Sequence, residues 1–356
     1  MTPHSRERAG RRGSRVKRIL WTAAGVLVLA ASLLAGYLAI VANWKLKPAA
    51  VTYSVAPGMS LRQFSRQLYR EDVLPDPFSL VWLAYLQGHA RDLKVGEYRF
   101  RRGITPLQLL DQVVAGRVVE YPFTIIEGWT FKQVMAAFAN AQKLQRTLVG
   151  LGDKEIMARL GYPGQHPEGR FFPDTYYYAR GTTDAQLLTR AYTKMAALLA
   201  AEWEARDGDV PLRSPDEALT LASIIERETG QEDERGLIAG VFVNRLRKGM
   251  RLQTDPTVIY GMRDRYRGNI SLADLRRPTP YNTYVIRGLP PTPIAMPSAD
   301  AVRAALNPAD TDAIYFVSRG DGSHVFSATL ADHNRAVRQY QLSPKPATQT
   351  KASPRR

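Results

Sequence analysis

The longest uninterrupted apolar stretch of the chain lies near its start. Residues 19–44, ILWTAAGVLVLAASLLAGYLAIVANW, carry no charge, and the charges that bound them are Arg18 and Lys45. An apolar helix of about 20 residues crosses a hydrocarbon layer of about 30 Å. The pattern therefore predicts a transmembrane anchor over residues 19–43.

Behind this anchor, short amphipathic helices share a repeated start signal. Glycine, an apolar residue and a hydroxyl residue are followed by glutamine three positions after the hydroxyl, which is the pattern of a helix capping box. The signal occurs at residues 58–63, 103–108 and 128–133. Apolar residues follow at helical spacing; in the first two copies they are Leu61, Phe64, Leu68, Leu107, Leu110 and Val114.

Strand-like runs lie before or between these helices, namely VTYSV, GEYRF and VVEYPFTII. Together the strands and helices predict a compact β/α module over residues 51–120. Its opening, VTYSVAPGMSLRQFSRQL, resembles a LysM repeat. Such a module either binds glycan or only sets a distance from the membrane, and the sequence leaves both readings open.

The rest of the folded chain, residues 121–342, is predicted to be a larger mixed α/β domain. Apolar periodicity predicts helices over 185–205, 214–228 and 232–248. A passage rich in Pro, Tyr, Asn and Gly over 251–298 predicts a long functional loop. A strand pair, AIYFVSR with HVFSATL, and a helix, ADHNRAVRQY, close the domain. The predicted fold class is therefore α+β, with an N-terminal transmembrane helix, a small LysM-like module and this larger domain.

Positive charge is concentrated at the two ends of the chain. Residues 1–18 hold seven cations and one acid, for a charge of +6, and the tail 343–356 carries +4. The positive-inside rule keeps the basic arm 1–18 in the cytoplasm, and the polar, proline-bearing tail is predicted to be disordered. Of the formal charge of +16, only +6 remains on the rest of the chain. This mild excess suits nearness to anionic lipid or an acidic polymer.

Two other readings of the charge and the apolar segment are less favoured. A nucleic-acid-binding protein would show a basic stripe interleaved with aromatic residues, and this chain does not. A cleaved signal peptide would have an apolar core of only about 7–15 residues. The longer segment favours an uncleaved single-pass helix in the inner membrane, with the bulk of the protein outside the cytoplasm.

The sequence lacks the residues of several classes of catalytic site. It has no cysteine, so neither disulfides nor thiolate chemistry is available. Its five histidines show no HExxH or other ligand spacing, so no metal site is predicted. No GxSxG turn marks a nucleophilic serine. Carboxylates are left as the candidates for acid–base chemistry.

The stretch LTLASIIERETG, residues 219–230, ends a predicted helix with two glutamates, Glu226 and Glu228. Residues two apart on a helix do not face one another, so the pair cannot supply the two carboxyls, about 5 Å apart, of a double-displacement glycosidase. Glu226 flanks the apolar face, where cover by other chain would disfavour its charged form, as a general acid requires. Glu228 is expected to be more polar in its surroundings. The alternative reading is a solvated Glu226, or one paired with Arg245.

Polar and aromatic side chains are concentrated in three stretches on either side of this helix: EGRFFPDTYYY, VFVNRLRKGMRLQTDPTVIYG and TPYNTYVIRGLPPTPIAMPS. Amide, hydroxyl, carboxylate and aromatic groups together suit a cleft that binds a sugar polymer. The tyrosines also fit ordinary core or rim positions. The cleft candidates are Asn244, Gln253, Asp255, Tyr260, Asn282 and Tyr284, and Glu168 and Asp174 either orient Glu226 or hold the loop.

These motifs, in this order behind an apolar N-terminal segment and a LysM-like module, resemble the YceG-like family of endolytic murein transglycosylases. The resemblance covers nearly all of residues 19–342, and its motifs are long. It implies cleavage of the β-1,4 bond between N-acetylmuramic acid and N-acetylglucosamine in nascent glycan strands, leaving 1,6-anhydro ends. The family's catalytic glutamate corresponds to Glu226. The resemblance further implies peptidoglycan strands, the membrane and the cell-wall synthesis machinery as partners, and no cofactor.

In such a lyase a single carboxyl group is sufficient. It protonates the glycosidic oxygen and then, as a carboxylate, accepts the proton of the substrate's C6 hydroxyl as that oxygen closes on C1. Two alternatives stay open at the level of sequence. One is a muramidase-type hydrolase in which Asp255 or Asp174 activates water, and the other is a membrane-anchored peptidoglycan-binding scaffold without catalysis.

Overall fold

A computed structural model describes residues 4–47 and 52–342, and for residues 4–16 it describes the backbone only. The first helix, α1, runs from His4 to Ala42, so the backbone of the predicted basic arm continues into the apolar segment as one helix. Within it, Lys17–Ala42 is long and apolar enough to cross a membrane, and an 18-residue stretch of it has a mean hydropathy of 2.3. The tail predicted to be disordered, 343–356, lies outside the described residues.

Twelve further α-helices and six strands follow in the described chain. The helices are α2 (Leu61–Arg70), α3 (Ser79–Leu86), α4 (Pro106–Val114), α5 (Phe131–Ala137), α6 (Asp153–Arg159), α7 (Asp184–Glu204), α8 (Pro215–Glu228), α9 (Arg235–Arg247), α10 (Asp255–Met262), α11 (Leu272–Arg276), α12 (Ala299–Leu306) and α13 (Leu330–Val337). The strands are β1 (Thr52–Val55), β2 (Gly96–Arg99), β3 (Glu120–Thr124), β4 (Thr175–Ala179), β5 (Tyr315–Ser318) and β6 (His324–Ser327). They pair as three separate two-stranded sheets, β1 with β2, β3 with β4, and β5 with β6.

The chain divides into two compact units. Unit 1 extends to Tyr121 and includes Ala179–Gly181, and unit 2 consists of Pro122–Tyr178 and the chain from Thr182 onward.

Unit 1 is built from the antiparallel pair β1 and β2, with Tyr53 opposite Tyr98, and from α2, α3 and α4. The capping boxes predicted for α2 and α4 are confirmed, with Ser60 and Thr105 as the capping residues. The third predicted box, at Thr130 and Gln133, is also present and starts α5 in unit 2. The predicted apolar positions of α2 and α4 face the core, where Phe64, Leu68 and Leu110 are fully buried.

Unit 2 is organised around α8, which packs against α7, α9 and α12. The helices predicted over 185–205, 214–228 and 232–248 are confirmed as α7, α8 and α9. The predicted closing strand pair is confirmed as antiparallel β5 and β6, and α13 follows it.

The apolar periodicity of α8 predicts an amphipathic helix, but the helix has no solvent-exposed face along most of its length. Every residue from Ala218 to Ile225 is buried, including Thr220 and Ser223. Their hydroxyls are satisfied locally, by the carbonyl of Asp216 at 2.8 Å and that of Thr220 at 2.7 Å. An amphipathic reading missed this because small hydroxyl residues can be buried when they bond back to their own helix.

The prediction of one long loop over 251–298 is wrong in its secondary structure, since the passage contains α10 and α11. Proline is tolerated in the first turn of a helix, and Pro256 occupies that place in α10. Ser271 and Asp274 form a capping box that starts α11. The high content of proline and polar residues in this passage therefore marked helix starts as well as turns.

Candidate active site

Glu226 lies near the C-terminal end of α8, where the helix emerges from the core. The residue is half-buried. Its Oε2 atom accepts hydrogen bonds from the backbone N–H of Ser298 at 3.0 Å and from the Ser298 hydroxyl at 2.5 Å. No residue of 4–47 or 52–342 donates a hydrogen bond to Oε1. The carboxyl is thus held in one orientation by one of its oxygens while the other stays available.

Ser298 reaches Glu226 because it caps the neighbouring helix. It is the N-cap of α12, and its hydroxyl oxygen accepts from the N–H of Ala301 at 3.2 Å. Helices α12 and α8 pack closely against one another. Ser298 is not among the predicted site residues, although the pattern Pro-Ser-Ala-Asp at 297–300 is a recognisable helix start.

The segment before Ser298 is fastened at two points. The N–H of Ile294 donates to the buried hydroxyl of Ser223 in α8 at 3.0 Å. Met296 exchanges backbone hydrogen bonds with the turn at 128–129, with Gly128 N to Met296 O at 2.8 Å and Met296 N to Trp129 O at 2.7 Å. These bonds hold the residues leading to Ser298 against both α8 and the turn that precedes α5.

A second carboxyl, that of Glu127, lies at the same turn. Although Glu127 is exposed by surface area, partial loss of hydration raises the pKa of its carboxyl, and repulsion by Glu226 raises it further. Asp300 and Glu232 add to this repulsion, while Arg235 opposes it. Glu226 is therefore one member of a group of carboxyls and not an isolated acid, and sequence reasoning missed Glu127.

Arg235 is the cation that this acidic group faces. Its side chain is buried at the start of α9, and its Nη1 lies 3.8 Å from Oδ2 of Asp300. Its buried Nε has no hydrogen-bond partner among the described residues. A buried guanidinium with a spare donor beside Glu127 and Asp300 keeps positive charge close to the site.

Glu228, two residues after Glu226, lies in different surroundings. It is half-buried and accepts a hydrogen bond from the hydroxyl of Thr254. Burial raises the pKa of its carboxyl to about 7, against the lowering effect of that bond. The polar surroundings expected for Glu228 are present as Thr254 and Asp255, but this chain buries its carboxyl instead of leaving it hydrated.

The chain that covers Glu228 has a strained backbone. Gln253 has φ of +52°, a conformation that residues other than glycine rarely adopt. The strain is held by bonds from Gln253 N to Thr283 O at 3.2 Å and from Thr254 N to Thr283 Oγ1 at 3.0 Å. Strained residues of this kind are concentrated at functional sites, and Gln253, a predicted cleft residue, is exposed here.

A cavity of about 1000 Å³ opens beside the end of α8. Of the predicted site residues, Glu168 and Tyr260 line it, together with Arg227, the neighbour of Glu226. Glu226 itself is not part of the lining. Arg227 donates from Nη1 to the carbonyl of Gly128 at 3.2 Å and so lies between the cavity and the turn that carries Glu127.

Glu168 is the buried acid of this cavity, with 3% of its surface exposed. One carboxyl oxygen accepts from the N–H of Phe131 at 2.8 Å, at the start of α5, and the other accepts from the Tyr260 hydroxyl at 3.0 Å. Burial raises the pKa of Glu168 to about 7. Its contacts join α5 to α10, which is the loop-holding role that the sequence left open.

Three other predicted site residues hold the chain together. Asn244 donates from Nδ2 to the carbonyls of Thr311 and Ala313, at 2.7 and 3.1 Å. The buried Asn282 donates from Nδ2 to three carbonyls at the end of α11, at distances from 2.8 to 3.1 Å. Asp174 is paired with Lys194 at 2.5 Å, and that contact lowers the pKa of Asp174.

Asp255 and Tyr284 are hydrogen-bonded to one another, and Arg245 donates to backbone carbonyls. The Tyr284 hydroxyl donates to Oδ1 of Asp255 at 2.7 Å, beside Glu228. Arg245 donates to the carbonyls of Ile314 at 2.7 Å and Leu252 at 2.6 Å. In the part of the chain that the structure describes, Arg245 forms no ion pair with Glu226.

The arrangement supports acid–base chemistry by one oriented carboxyl. Within residues 4–47 and 52–342, no group of three or more His, Asp or Glu side chains is placed to hold a metal ion. A proton can be delivered and taken back at Oε1 of Glu226 while Ser298 holds Oε2.

Comparison with known proteins gives consistent results. The model of the YceG-like family matches residues 53–339. The chain is 30% identical over 309 residues to a Bacillus subtilis protein named endolytic murein transglycosylase, covering 82% of this chain and 84% of that protein. It is 27% identical over 327 residues to a Streptococcus pneumoniae protein of the same name, of which it spans 58%. The crystal structure of a YceG-like protein of Listeria monocytogenes aligns with a TM-score of 0.53 at 30% identity, over 80% of this chain and 98% of that chain.

Proposed function

The chain belongs to the YceG-like family, and from this premise we propose that it is a lytic murein transglycosylase, a lyase that cleaves peptidoglycan. The observation that carries the proposal is the carboxyl of Glu226, which Ser298 orients through one oxygen at the end of a buried helix. A rigid support of this kind favours catalysis, because a positioned acid loses little orientational freedom when substrate binds.

The proposed bond is the β-1,4 bond between N-acetylmuramic acid and N-acetylglucosamine within nascent strands. Glu226 donates a proton to the glycosidic oxygen as the bond from that oxygen to C1 breaks. The C6 hydroxyl of the same muramic residue then bonds to C1, and its proton returns to Glu226. The products are a new N-acetylglucosamine hydroxyl and a 1,6-anhydro ring, so no water is consumed and the acid is restored.

The residues near Glu226 are proposed to assist this step. Ser298 keeps the carboxyl in place through the proton transfer. The cavity beside Arg227, with aromatic and polar walls such as Tyr260 and Glu168, suits a segment of the glycan strand. Gln253, Asp255 and Tyr284 are proposed as further contacts, while Asn244, Asn282 and Asp174 act by holding the surrounding chain.

The proposed location is the inner membrane, with α1 as a single-pass anchor. The basic residues before the apolar segment place the N-terminus in the cytoplasm by the positive-inside rule. Units 1 and 2 then lie outside the cytoplasm, where the glycan strands and the cell-wall synthesis machinery are. Unit 1 contains the LysM-like module, residues 51–120, and is proposed to bind glycan or to act as a spacer.

A hydrolase is the second candidate function. The presence of Glu127, whose carboxyl Glu226 repels, favours a hydrolase over a scaffold without catalysis. Hydrolysis needs a second carboxylate that activates water on the sugar. The sequence offered Asp255 and Asp174 for this role, but Asp255 is bonded to Tyr284 and Asp174 to Lys194. Partial loss of hydration and repulsion by Glu226 raise the pKa of Glu127, and we propose Glu127 as the carboxylate that would activate water in such a hydrolase.

The test is mass spectrometry of the products formed from uncrosslinked glycan by the full chain in detergent. We expect ends lighter by one water than hydrolytic ends, and no cleavage by Glu226→Gln. Glu217→Gln, the same substitution at the other end of α8, serves as the control and should cleave normally. Hydrated reducing ends would show that the protein is a hydrolase and not a lyase. Glycan binding without cleavage by the wild type would show that it is a peptidoglycan-binding scaffold without catalysis.

A further inference from the structure

The short helix α3 has an apolar outer face in unit 1. Its sequence, SLVWLAYL, contains no charged residue. Leu80, Leu83 and Ala84 are packed into the core of the unit. Trp82, Tyr85 and Leu86 remain exposed over 49%, 55% and 71% of their surfaces, and Phe78, just before the helix, over 64%. We call these four exposed residues the α3 outer face.

Such a face is unusual for a helix bounded by water. The solvent side of a surface helix is normally polar, and a helix apolar on all sides is normally covered. Single exposed apolar residues need no explanation, but a contiguous group of them marks a binding surface. The Trp82 and Tyr85 rings are 6.4 Å apart, so these side chains form one surface.

The position of α3 identifies what covers it. Helix α3 packs against α1, near the end of the apolar segment of α1. The Tyr37 hydroxyl of α1 donates to Oδ2 of Asp76 at 2.6 Å. The other oxygen of Asp76 accepts from the N–H groups of Phe78 and Ser79, each at 2.7 Å, at the start of α3. Asp76 therefore ties the start of α3 to a fixed height on α1.

That height is at the edge of a bilayer. From Ile19, the first residue after the basic arm, to Leu38 there are 20 residues, which rise about 30 Å at 1.5 Å each, the thickness of a hydrocarbon core. Tyr37, and with it Asp76, then lies at the outer boundary of the lipid. Tryptophan and tyrosine are enriched at this boundary, because their rings are apolar with one polar group.

The join between α1 and unit 1 keeps α3 at that boundary. Leu38, Val41, Ala42 and Leu46 are all buried in the core of unit 1, so the last turns of α1 are part of its packing. Lys45 and Lys47 are exposed beside this join and provide charge for anionic headgroups.

We propose that the α3 outer face lies in the outer leaflet of the membrane and gives unit 1 a second attachment to the bilayer beside the anchor. The occupant of the face is lipid, at the depth of the headgroups and the first carbons of the acyl chains. This inference rests on the proposed anchoring by α1 and adds to it that unit 1 lies on the membrane instead of standing away from it.

The absence of cysteine from the sequence makes the test direct. Single cysteines are introduced in the full chain at Trp82 and Leu86, at Val28 in the anchor, and at Leu330, an exposed apolar residue of α13 in unit 2. Each is labelled with an environment-sensitive fluorophore in vesicles of phosphatidylethanolamine and phosphatidylglycerol. The vesicles contain lipid spin-labelled either near the headgroup or near the chain end.

We expect the labels at 82 and 86 to be quenched by the shallow spin label at least about threefold more than the label at 330, as for aromatic-belt positions. The label at 28 should be quenched most by the deep spin label. Quenching at 28 without quenching at 82 and 86 overturns the inference and leaves the anchor standing. If the label at 28 is not quenched, the proposed anchoring by α1 is wrong. Protection of 82 and 86 from aqueous iodide without lipid quenching would show a protein partner on the face, and would also overturn the inference.

Discussion

Glu226 and Glu228 lie on one helix, but the surrounding chain gives their carboxyls different hydrogen bonds and different burial. They are two residues apart, yet the segment ending at Ser298 contacts Glu226 and the strained chain at 253–255 contacts Glu228. Ser298 gives Glu226 two donors on one oxygen and leaves the other open. Burial raises the pKa of Glu228 to about 7, against the lowering effect of its hydrogen bond from Thr254. A raised pKa does not by itself select the proposed acid, and our proposal of Glu226 rests on its one oriented and one accessible carboxyl oxygen.

The largest effect on the cleavage rate is expected when the carboxyl of Glu226 is replaced, and the same replacement at Glu228 provides the comparison. Glu226→Gln should lower kcat by a factor of about 10³ or more, since it removes the acid and the base of the reaction. Glu228→Gln should keep activity within about tenfold of wild type, because its carboxyl is covered and acts through packing. Cleavage of uncrosslinked glycan, followed by chromatography, measures both. Equal losses in the two variants would mean that the assignment of Glu226 over Glu228 is wrong.

Ser298→Ala tests the support of Glu226. The hydroxyl bond is lost while the backbone N–H bond remains, so we expect kcat to fall about 10- to 100-fold through poorer orientation. Ser298→Thr keeps a hydroxyl and should recover most of the rate. KM should change little in either variant, whereas a merely structural defect would lower the unfolding midpoint of Ser298→Ala and leave kcat of the folded fraction unchanged.

The pH dependence of stability tests the burial of Glu228. Because the folded pKa of Glu228, about 7, is above its ordinary value of 4.5, the native state binds the proton more tightly than the unfolded state. Stability therefore falls as pH rises from about 4.5 to 7, by roughly 1–3 kcal/mol for this group. Glu228→Gln mimics the protonated acid, so it should stabilise the protein above pH ~7 and leave it unchanged near pH ~4.5.

Urea unfolding of the full chain in detergent at the two pH values measures this difference. Glu217→Gln is the matched control, since the pKa of Glu217 is lowered, not raised. A Glu228→Gln variant less stable than wild type at neutral pH would contradict the assignment of a destabilising ionised form.

The smallest effect on the rate is expected at Glu127, whose carboxyl Glu226 repels. If one acid suffices, Glu127→Gln should lower the rate by less than about tenfold and leave the anhydro product unchanged. Product mass and initial rate are read in the same assay. A loss as large as that of Glu226→Gln, with hydrated ends in the wild type, would make Glu127 the base of a hydrolase.

Local sequence signals predicted most helix and strand positions correctly. The capping boxes at Ser60, Thr105 and Thr130, the apolar periodicity of α7 to α9, and the closing strand pair are all present. These features depend on residues close together in the chain, so they can be read from the sequence. The helices α10 and α11 are not predicted by these signals, because proline and serine are typical of loops as well as of helix starts.

The site was harder to predict, because its geometry depends on contacts distant in sequence. Ser298 and Glu127 approach Glu226 only through the packing of α12 and the turn at 128–129. Motif position and polarity together made Asn244 and Asn282 cleft candidates, yet their amides donate to backbone carbonyls. Polarity cannot distinguish a side chain that satisfies the protein's own backbone from one that is left for a ligand.

The burial of the end of α1 in unit 1 couples the length of the anchor to the contact between unit 1 and the lipid. With Leu38, Val41 and Ala42 packed in the core, that stretch of helix moves together with unit 1. Each residue added to the apolar segment would lift unit 1 by about 1.5 Å, so one added helical turn would lift it by about 5.4 Å. A lengthened anchor would therefore withdraw the α3 outer face from the acyl chains without any change in the face itself.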